Sequence, residues 1–343
     1  MVKAVQINDK CVGPGHPCFI VAEIGINHNG NIDIARKLIS ASSFSGCDAV
    51  KFQKRTIDVV FSPEELAKPR ENPFGATNDD LKRGLEFGYD EYQKIDEFCR
   101  MHNILWFASC WDESSVDFIE QFNPPCYKIA SACLTDDELL KHHLKYKRPI
   151  ILSTGMSTLE QIDHAVEVLG KEDLIILHTT STYPSKPEEL NLQVIQTLAK
   201  RYDVPIGYSG HEVGLSTSVG ATVLGACLIE RHITLDRAMW GSDQAASVEP
   251  QGFARLIRDI HSVEAAIGDG VKRVYESEVP IRQKLRRVGY CRADIVNSFN
   301  HYLRKNISGD YYFYPFFLKA PFYWHIWHMI RHRLYLQMIL PVI

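Results

Sequence analysis

The sequence has no CxxC pair among its nine cysteines, no uninterrupted apolar run of membrane length, no strong excess of either charge, and no G-x-G-x-x-G turn after its first apolar run. Each absence removes a class of protein. An odd number of thiols scattered from Cys11 to Cys291 reads as reduced cysteine in a cytoplasmic protein, not as a disulfide framework. A net charge of −4 argues against a nucleic-acid surface, although a local group of lysines can still bind a small anion. The start, MVKAVQINDKCVGPGHPCFIVAEIG, lacks a long apolar core behind a basic end and so does not read as a signal peptide. The missing glycine fingerprint counts against an open dinucleotide-binding sheet.

What is present is an alternation. Short apolar, β-branched runs occur at 19–25, 49–53, 105–110, 126–131, 149–154, 174–180, 205–210 and 227–233. Near-continuous apolar runs of this length suit strands buried on both faces of a parallel sheet. The stretches between them read as helices, at 31–46, 157–170, 189–202, 216–225 and 250–268. The segment 157–170 opens on a Ser-Thr cap and ends on glycine. Eight strands alternating with helices over roughly 250 residues predict an α/β fold of (β/α)8 TIM-barrel type. The long connection 54–104 predicts an excursion near the barrel mouth, followed by the usual helix. From 288 to 343 the alternation stops and aromatics crowd 311–327, so the domains are read as a barrel over 1–287 and an atypical tail over 288–343. Pro315, Lys319 and Pro321 interrupt that tail, which disfavours a membrane anchor. His325, His328 and His332 within it are read as incidental.

Polar residues at the C-terminal ends of barrel strands are the expected site of chemistry. They are Glu23, Lys51, Gln53, Ser109, Lys128, Ser131, Ser153, Thr154, His178, Ser181, Tyr183, Ser209, His211, Glu230 and His232. Two lysines and several hydroxyls fit a phosphate-bearing anion, and an inward lysine is costly unless it is paired. Serines alone also simply end strands. His211 and His232 close neighbouring strands and suit a divalent metal with open positions for water and substrate. Spacing does not choose among Mn²⁺, Mg²⁺, Co²⁺ and Zn²⁺, and His178 is either a third ligand or a bystander.

Seven segments carry a resemblance: AEIGINHNGN, AVKFQ, YKIAS, STGMST, TSTYPSKPEELNL, GYSGHEVGL and ERHITLDRAMWGSDQAASVEP. Together, from about residue 15 to 287, they resemble the sialic acid synthase family. The resemblance implies a barrel that condenses phosphoenolpyruvate with an N-acyl hexosamine such as N-acetylmannosamine. It also implies a divalent metal, commonly Mn²⁺ with Mg²⁺ or Co²⁺ as alternatives, and a homodimer. By motif, His211 and His232 would hold the metal. Lys51, Ser109, Lys128, Ser131, Ser153, Ser181 and Ser209 would hold phosphoenolpyruvate. Gln53, Tyr183 and Asp243 would contact the sugar, and Glu23 would sit beside the metal and the reacting carbons. Ser109 stands where many members have threonine, and Ser181 where some have asparagine. Residues 290–343 do not resemble the antifreeze-like domain that normally follows the barrel and reaches the partner's site with an arginine. A truncated or frame-shifted end, or an unusual replacement, is the expectation there. Related synthases for legionaminic, pseudaminic, deaminated or 6-phosphate sugars, and a barrel impaired by loss of its lid domain, are the alternatives.

Overall fold

Within each apolar run, alternate residues go to different places. In the computed structural model, which describes residues 2–286, the runs form strands β1 (Phe19–Gly25), β2 (Ala49–Lys54), β3 (Leu105–Cys110), β4 (Tyr127–Ile129), β5 (Ile150–Ser153), β6 (Leu174–Thr179), β7 (Ile206–Gly210) and β8 (Leu228–His232). Each pairs in parallel with the next and β8 pairs with β1, closing an eight-stranded barrel. Phe19, Val21, Ala49, Phe107, Ile151, Ile175, Leu177 and Leu228 form one buried cluster. Their neighbours Ile20, Ala22, Val50, Trp106, Leu152, Ile176 and Ile229 belong to a second, shared with the helix residues Leu38, Ile39, Ile162, Leu198 and Leu256. The first cluster fills the barrel and the second glues it to its helices, as the two-residue period of a strand requires. A hairpin of Val5–Ile7 and Lys10–Val12 contributes Val5, Ile7 and Val12 to the interior cluster and so closes the N-terminal end of the barrel.

Helices follow each strand. Asn31 caps the helix Ile32–Ser45 by accepting from Asp33 N and Ile34 N, and Gly46 ends it at φ 92°. Thr158 and Gln161 form a capping box on Leu159–Leu169. The connection after β2 holds short helices Ile57–Val60 and Pro63–Leu66, a hairpin of Pro69–Asn72 with Gly75–Thr77, the helix Asn78–Leu85, and then Tyr89–Met101 against the barrel wall. Phe87 stacks on His28 at 4.1 Å, and Phe74 meets Trp240 edge-on at 6.5 Å, which ties this excursion to the loops after β1 and β8.

Two boundaries move. The fourth strand stops at Ile129 because Ser131 opens a 3-10 turn, and the helix expected from 189 starts at Val194 because Pro187–Glu189 forms its own turn. The chain divides into two compact units, Met1–Val271 and Lys272–Ile343. The described part of the second holds a turn at Glu276–Glu278 and the helix Val279–Leu285. The atypical tail expected at 288–343 lies outside the described residues. Among the described residues the cysteines are free, with Cys11 exposed and the other seven buried, and no helix is long and apolar enough to cross a membrane.

Candidate active site

The inward parity that fills the barrel continues to the C-terminal ends of its strands, where it changes from apolar to polar. Register places His232 beside Glu23, Glu23 beside Lys51, Gln53 beside Ser109, Ser109 beside Lys128, and Ser209 beside Glu230. The alternation that buries Val21 therefore aims Glu23 into the same lumen two residues later.

Glu230 is the hub of this layer. Its Oε1 accepts from Lys51 Nζ at 2.8 Å, Lys128 Nζ at 3.2 Å and Ser209 Oγ at 3.1 Å. Lys51 Nζ also lies 3.4 Å from Glu23 Oε2, and Gln53 Nε2 donates to Glu23 Oε1 at 2.8 Å. All four charged groups are buried. Burial alone would lift the Glu230 carboxyl, but Lys128 and Lys51 outweigh it and hold it well below the usual carboxylate range. For Glu23 burial wins over Lys51, with Glu230 adding to it, and its carboxyl is raised. Burial opposes the charge on Lys51, which Glu23 and Glu230 restore and strengthen. Burial lowers the Lys128 ammonium, with Glu230 opposing and Lys51 assisting. Two ammonium groups against one firmly ionised carboxylate leave the floor with a surplus of positive charge. Glu23 Oε2 and Glu230 Oε2 are buried without a hydrogen-bond partner.

Beside this floor lies an aromatic group of three rings. His211 and His232 have centroids 5.3 Å apart, and Tyr183 sits 4.1 Å from His211 and 5.6 Å from His232. His211 Nδ1 is 2.7 Å from the Thr180 carbonyl. A carbonyl can only accept, so Nδ1 carries the proton and Nε2 keeps its lone pair. His232 Nδ1 is buried with no hydrogen-bond partner and lies 3.7 Å from Asp243 Oδ2. Burial, reinforced by His232, takes His211 down to about 3; burial, reinforced by Lys51, does the same to His232, again to about 3. Both rings are neutral at pH 7, as metal ligands must be.

The hydroxyls occupy the opposite arc. Ser153 accepts from Thr179 Oγ1 at 3.4 Å, and Ser109 is buried with its Oγ 3.5 Å from the Phe52 carbonyl. Ser131 Oγ accepts from Gly155 N at 3.0 Å. A Cβ at Gly155 would lie 2.1 Å from Ser181 Oγ and 2.9 Å from Ser131 Oγ, so only glycine lets these two hydroxyls converge. Gly25 does the same at β1: its φ is 53°, and a Cβ there would lie 2.9 Å from Glu23 Oε1. The structure thus brings the strand-end residues singled out in the sequence to one rim, His178 excepted. His178 points the other way. Its Nε2 bonds the Leu190 carbonyl at 2.6 Å and its ring faces Tyr208, which makes it a bystander.

Residues 38–272 match the model of the NeuB family. The chain belongs to the NeuB family. It is 38% identical over 281 residues to the N-acetylneuraminate-9-phosphate synthase of Homo sapiens, covering 80% of this chain and 78% of that protein. It is 34% identical over 294 residues to the N,N'-diacetyllegionaminic acid synthase of Legionella pneumophila, covering 83% of each. Among solved structures, the N-acetylneuraminic acid (sialic acid) synthetase of Leptospira borgpetersenii superposes with a TM-score of 0.74 at 29% identity, covering 84% of this chain and 99% of that one. This NeuB-family chain is an enzyme of the sialic and nonulosonic acid synthase type.

Two features of the NeuB-family site were not assigned a role from sequence. Glu230 was visible at the end of its strand, but its part as the common partner of both lysines depends on cross-barrel distance, which sequence does not carry. Gly155 sits in STGMST, and its value lies in side chains from two other loops. The strand-end rule that found Lys51 found Glu230 as well, but without its role.

Proposed function

We propose that the chain condenses phosphoenolpyruvate with the aldehyde of an N-acyl hexosamine, such as N-acetylmannosamine, in the presence of a divalent metal. Phosphoenolpyruvate, the hexosamine and water give a nonulosonic acid and inorganic phosphate. The observation that carries this reading is the pair of buried lysines on Glu230, set beside two neutral imidazoles at the mouth of a NeuB-family barrel.

The two imidazoles fit a metal. His211 has a free Nε2 by its hydrogen bond to Thr180, and His232 Nδ1 is buried and unpartnered. No group of three or more His, Cys, Asp or Glu side chains is arranged for a metal among the described residues, so water and substrate would complete the shell. When bound there, Mn²⁺, or Mg²⁺ or Co²⁺ in its place, supplies Lewis-acid polarisation of the sugar carbonyl.

The chain's own residues do the rest. Lys51 and Lys128 hold the donor phosphate and carboxylate by charge, and Ser109, Ser131, Ser153, Ser181 and Ser209 supply directional donors. Gln53, Tyr183 and Asp243 orient the sugar so that its C1 faces the donor methylene. The methylene forms the new C–C bond as the aldehyde C=O π bond opens onto its oxygen, and water adds at the former enol carbon. Glu23 in its carboxylate form, its proton affinity raised by burial, takes the water proton and passes it to the alkoxide left on the sugar C1, and phosphate departs with its bridging oxygen by C–O cleavage as the ketone forms.

The test is phosphate release from phosphoenolpyruvate with Mn²⁺ and a panel of N-acyl hexosamines, with mass spectrometry of the product. Sugar-dependent release and a product of the summed mass, less phosphate, are expected. Release independent of any sugar would remove the condensation.

A further inference from the structure

The segment INHNGN after β1 has no part in the chemistry described so far, yet three of its residues reach three different partners. His28 stacks on Phe87 of the excursion at 4.1 Å. Asn29 Nδ2 donates to the Trp240 carbonyl at 2.9 Å. Asn27 is 2% exposed, and its Nδ2 donates to the Ile233 carbonyl at 2.8 Å and to Ser247 Oγ at 2.8 Å. A carbonyl can only accept, so the amide nitrogen of Asn27 must face it, and both of its protons are used.

Both bonds lead to the sugar side of the site. Ile233 directly follows His232, and its N donates to the Glu23 carbonyl at 2.9 Å. Ser247 Oγ donates in turn to the Asp243 carbonyl at 2.6 Å. Asp243 precedes the 3-10 turn Gln244–Ala246, and Gln244 Nε2 donates to the Asn27 carbonyl at 3.2 Å. Val248 N donates to the His232 carbonyl at 2.8 Å, which folds the loop back onto its strand. From 235 to 243 no residue of this loop is buried, so apolar packing does not fix Asp243 directly. The buried Asn27, Gln244 and Ser247 do, and Asp243 Oδ2 comes to lie 3.7 Å from His232 Nδ1. The phosphoenolpyruvate side is held differently. Lys51, Lys128 and Ser209 converge on Glu230, and Ser131 bonds Gly155. None of those bonds passes through Asn27.

We propose that Asn27 is a positioning residue for the sugar half of the site: through Ser247 and the Ile233 carbonyl it sets Asp243 opposite His232, and it leaves the phosphoenolpyruvate half untouched. This rests on reading the chain as a condensing synthase whose Asp243 contacts the sugar. A small displacement of a group that orients a substrate is enough to weaken its use severely, even though Asn27 itself touches no substrate.

The test compares wild type, Asn27→Leu, Ser247→Ala and the double variant, all as the full chain with Mn²⁺, by phosphate release at varied sugar and varied phosphoenolpyruvate. Asn27→Leu should raise the KM for the sugar at least tenfold and Ser247→Ala at least fivefold, with the KM for phosphoenolpyruvate within about twofold of wild type in both. The double variant should be no worse than Asn27→Leu alone, because both act on one chain of bonds. Equal rises in the two KM values would mark a general packing role and overturn the proposal, as would an unchanged sugar KM or effects that multiply in the double variant. If Asn27→Leu does not fold by circular dichroism, Ser247→Ala carries the same comparison. If wild type releases no phosphate with any hexosamine, the condensation reading fails, and hydrogen exchange decides the positioning on its own. Exchange at least tenfold faster across 236–248 in Asn27→Leu, with 49–54 unchanged, then supports it, and equal rates overturn it.

Discussion

At the scale of single residues, the site turns on which ring nitrogen is free. The Thr180 carbonyl fixes the proton of His211 on Nδ1, and His232 Nδ1 has no partner in a buried position. His211→Ala and His232→Ala should each weaken Mn²⁺ binding at least tenfold in calorimetric titration and abolish metal-dependent phosphate release. A metal-stripped variant that keeps full activity would refute the assignment. These two histidines were legible because each ends an apolar run, and the same rule found Lys51 and Lys128. Chain order could not reveal that both lysines share one carboxylate oxygen of Glu230, since those contacts span 179 and 102 residues. Nor could it show that Gly155 lets Ser131 and Ser181 converge from different loops.

At the scale of elements, the ends of β7 and β8 are locked by a buried ion pair immediately beside both histidines. Arg231 Nη1 donates to Glu212 Oε1 at 3.0 Å, to the Gly214 carbonyl at 2.9 Å and to Ser218 Oγ at 2.9 Å, while Tyr208 OH donates to Glu212 Oε2 at 2.8 Å. Both charged side chains are 1% exposed. Burial works against the ionised Glu212 carboxyl, but Arg231 and the surrounding donors keep it below its usual range. Removing one partner strands the other without water, at a cost of about 3–5 kcal/mol. Arg231→Met should therefore shift the urea midpoint down sharply, and Arg231→Met with Glu212→Gln should recover part of the loss. A single variant as stable as wild type would refute the account. The eight barrel strands were readable because each is a run of apolar residues long enough to show its character. The hairpins Val5–Ile7 with Lys10–Val12 and Pro69–Asn72 with Gly75–Thr77 were not, because their short strands are mixed or polar in sequence and lie in no near-continuous apolar run.

At the scale of the whole molecule, barrel topology followed from the count and order of elements, since parallel strands joined by helices have few ways to close. What the count could not supply is how completely the fold buries its histidines, and that burial sets its response to acid. Burial lowers His28 to about 3, with Arg55 assisting, and His143 to about 4, with its bond to the Leu139 carbonyl opposing and His142 assisting. His143 packs against Tyr127 on the outer side of the barrel, away from the rim. In the unfolded chain a histidine titrates near 6.5. Between that value and about 4 the unfolded state binds a proton at His143 that the folded state refuses, so stability rises with pH through this window and is lost as pH falls through it. From pH 7 to pH 5 the loss for one such histidine is about 2 kcal/mol. Urea unfolding of wild type and His143→Phe at both pH values isolates that share, because phenylalanine does not titrate and only the difference in pH dependence is read. The variant should lose about 2 kcal/mol less than wild type on going to pH 5. Equal losses would mean that His143 is protonated in the folded protein at pH 5, with its buried Nε2 open to water.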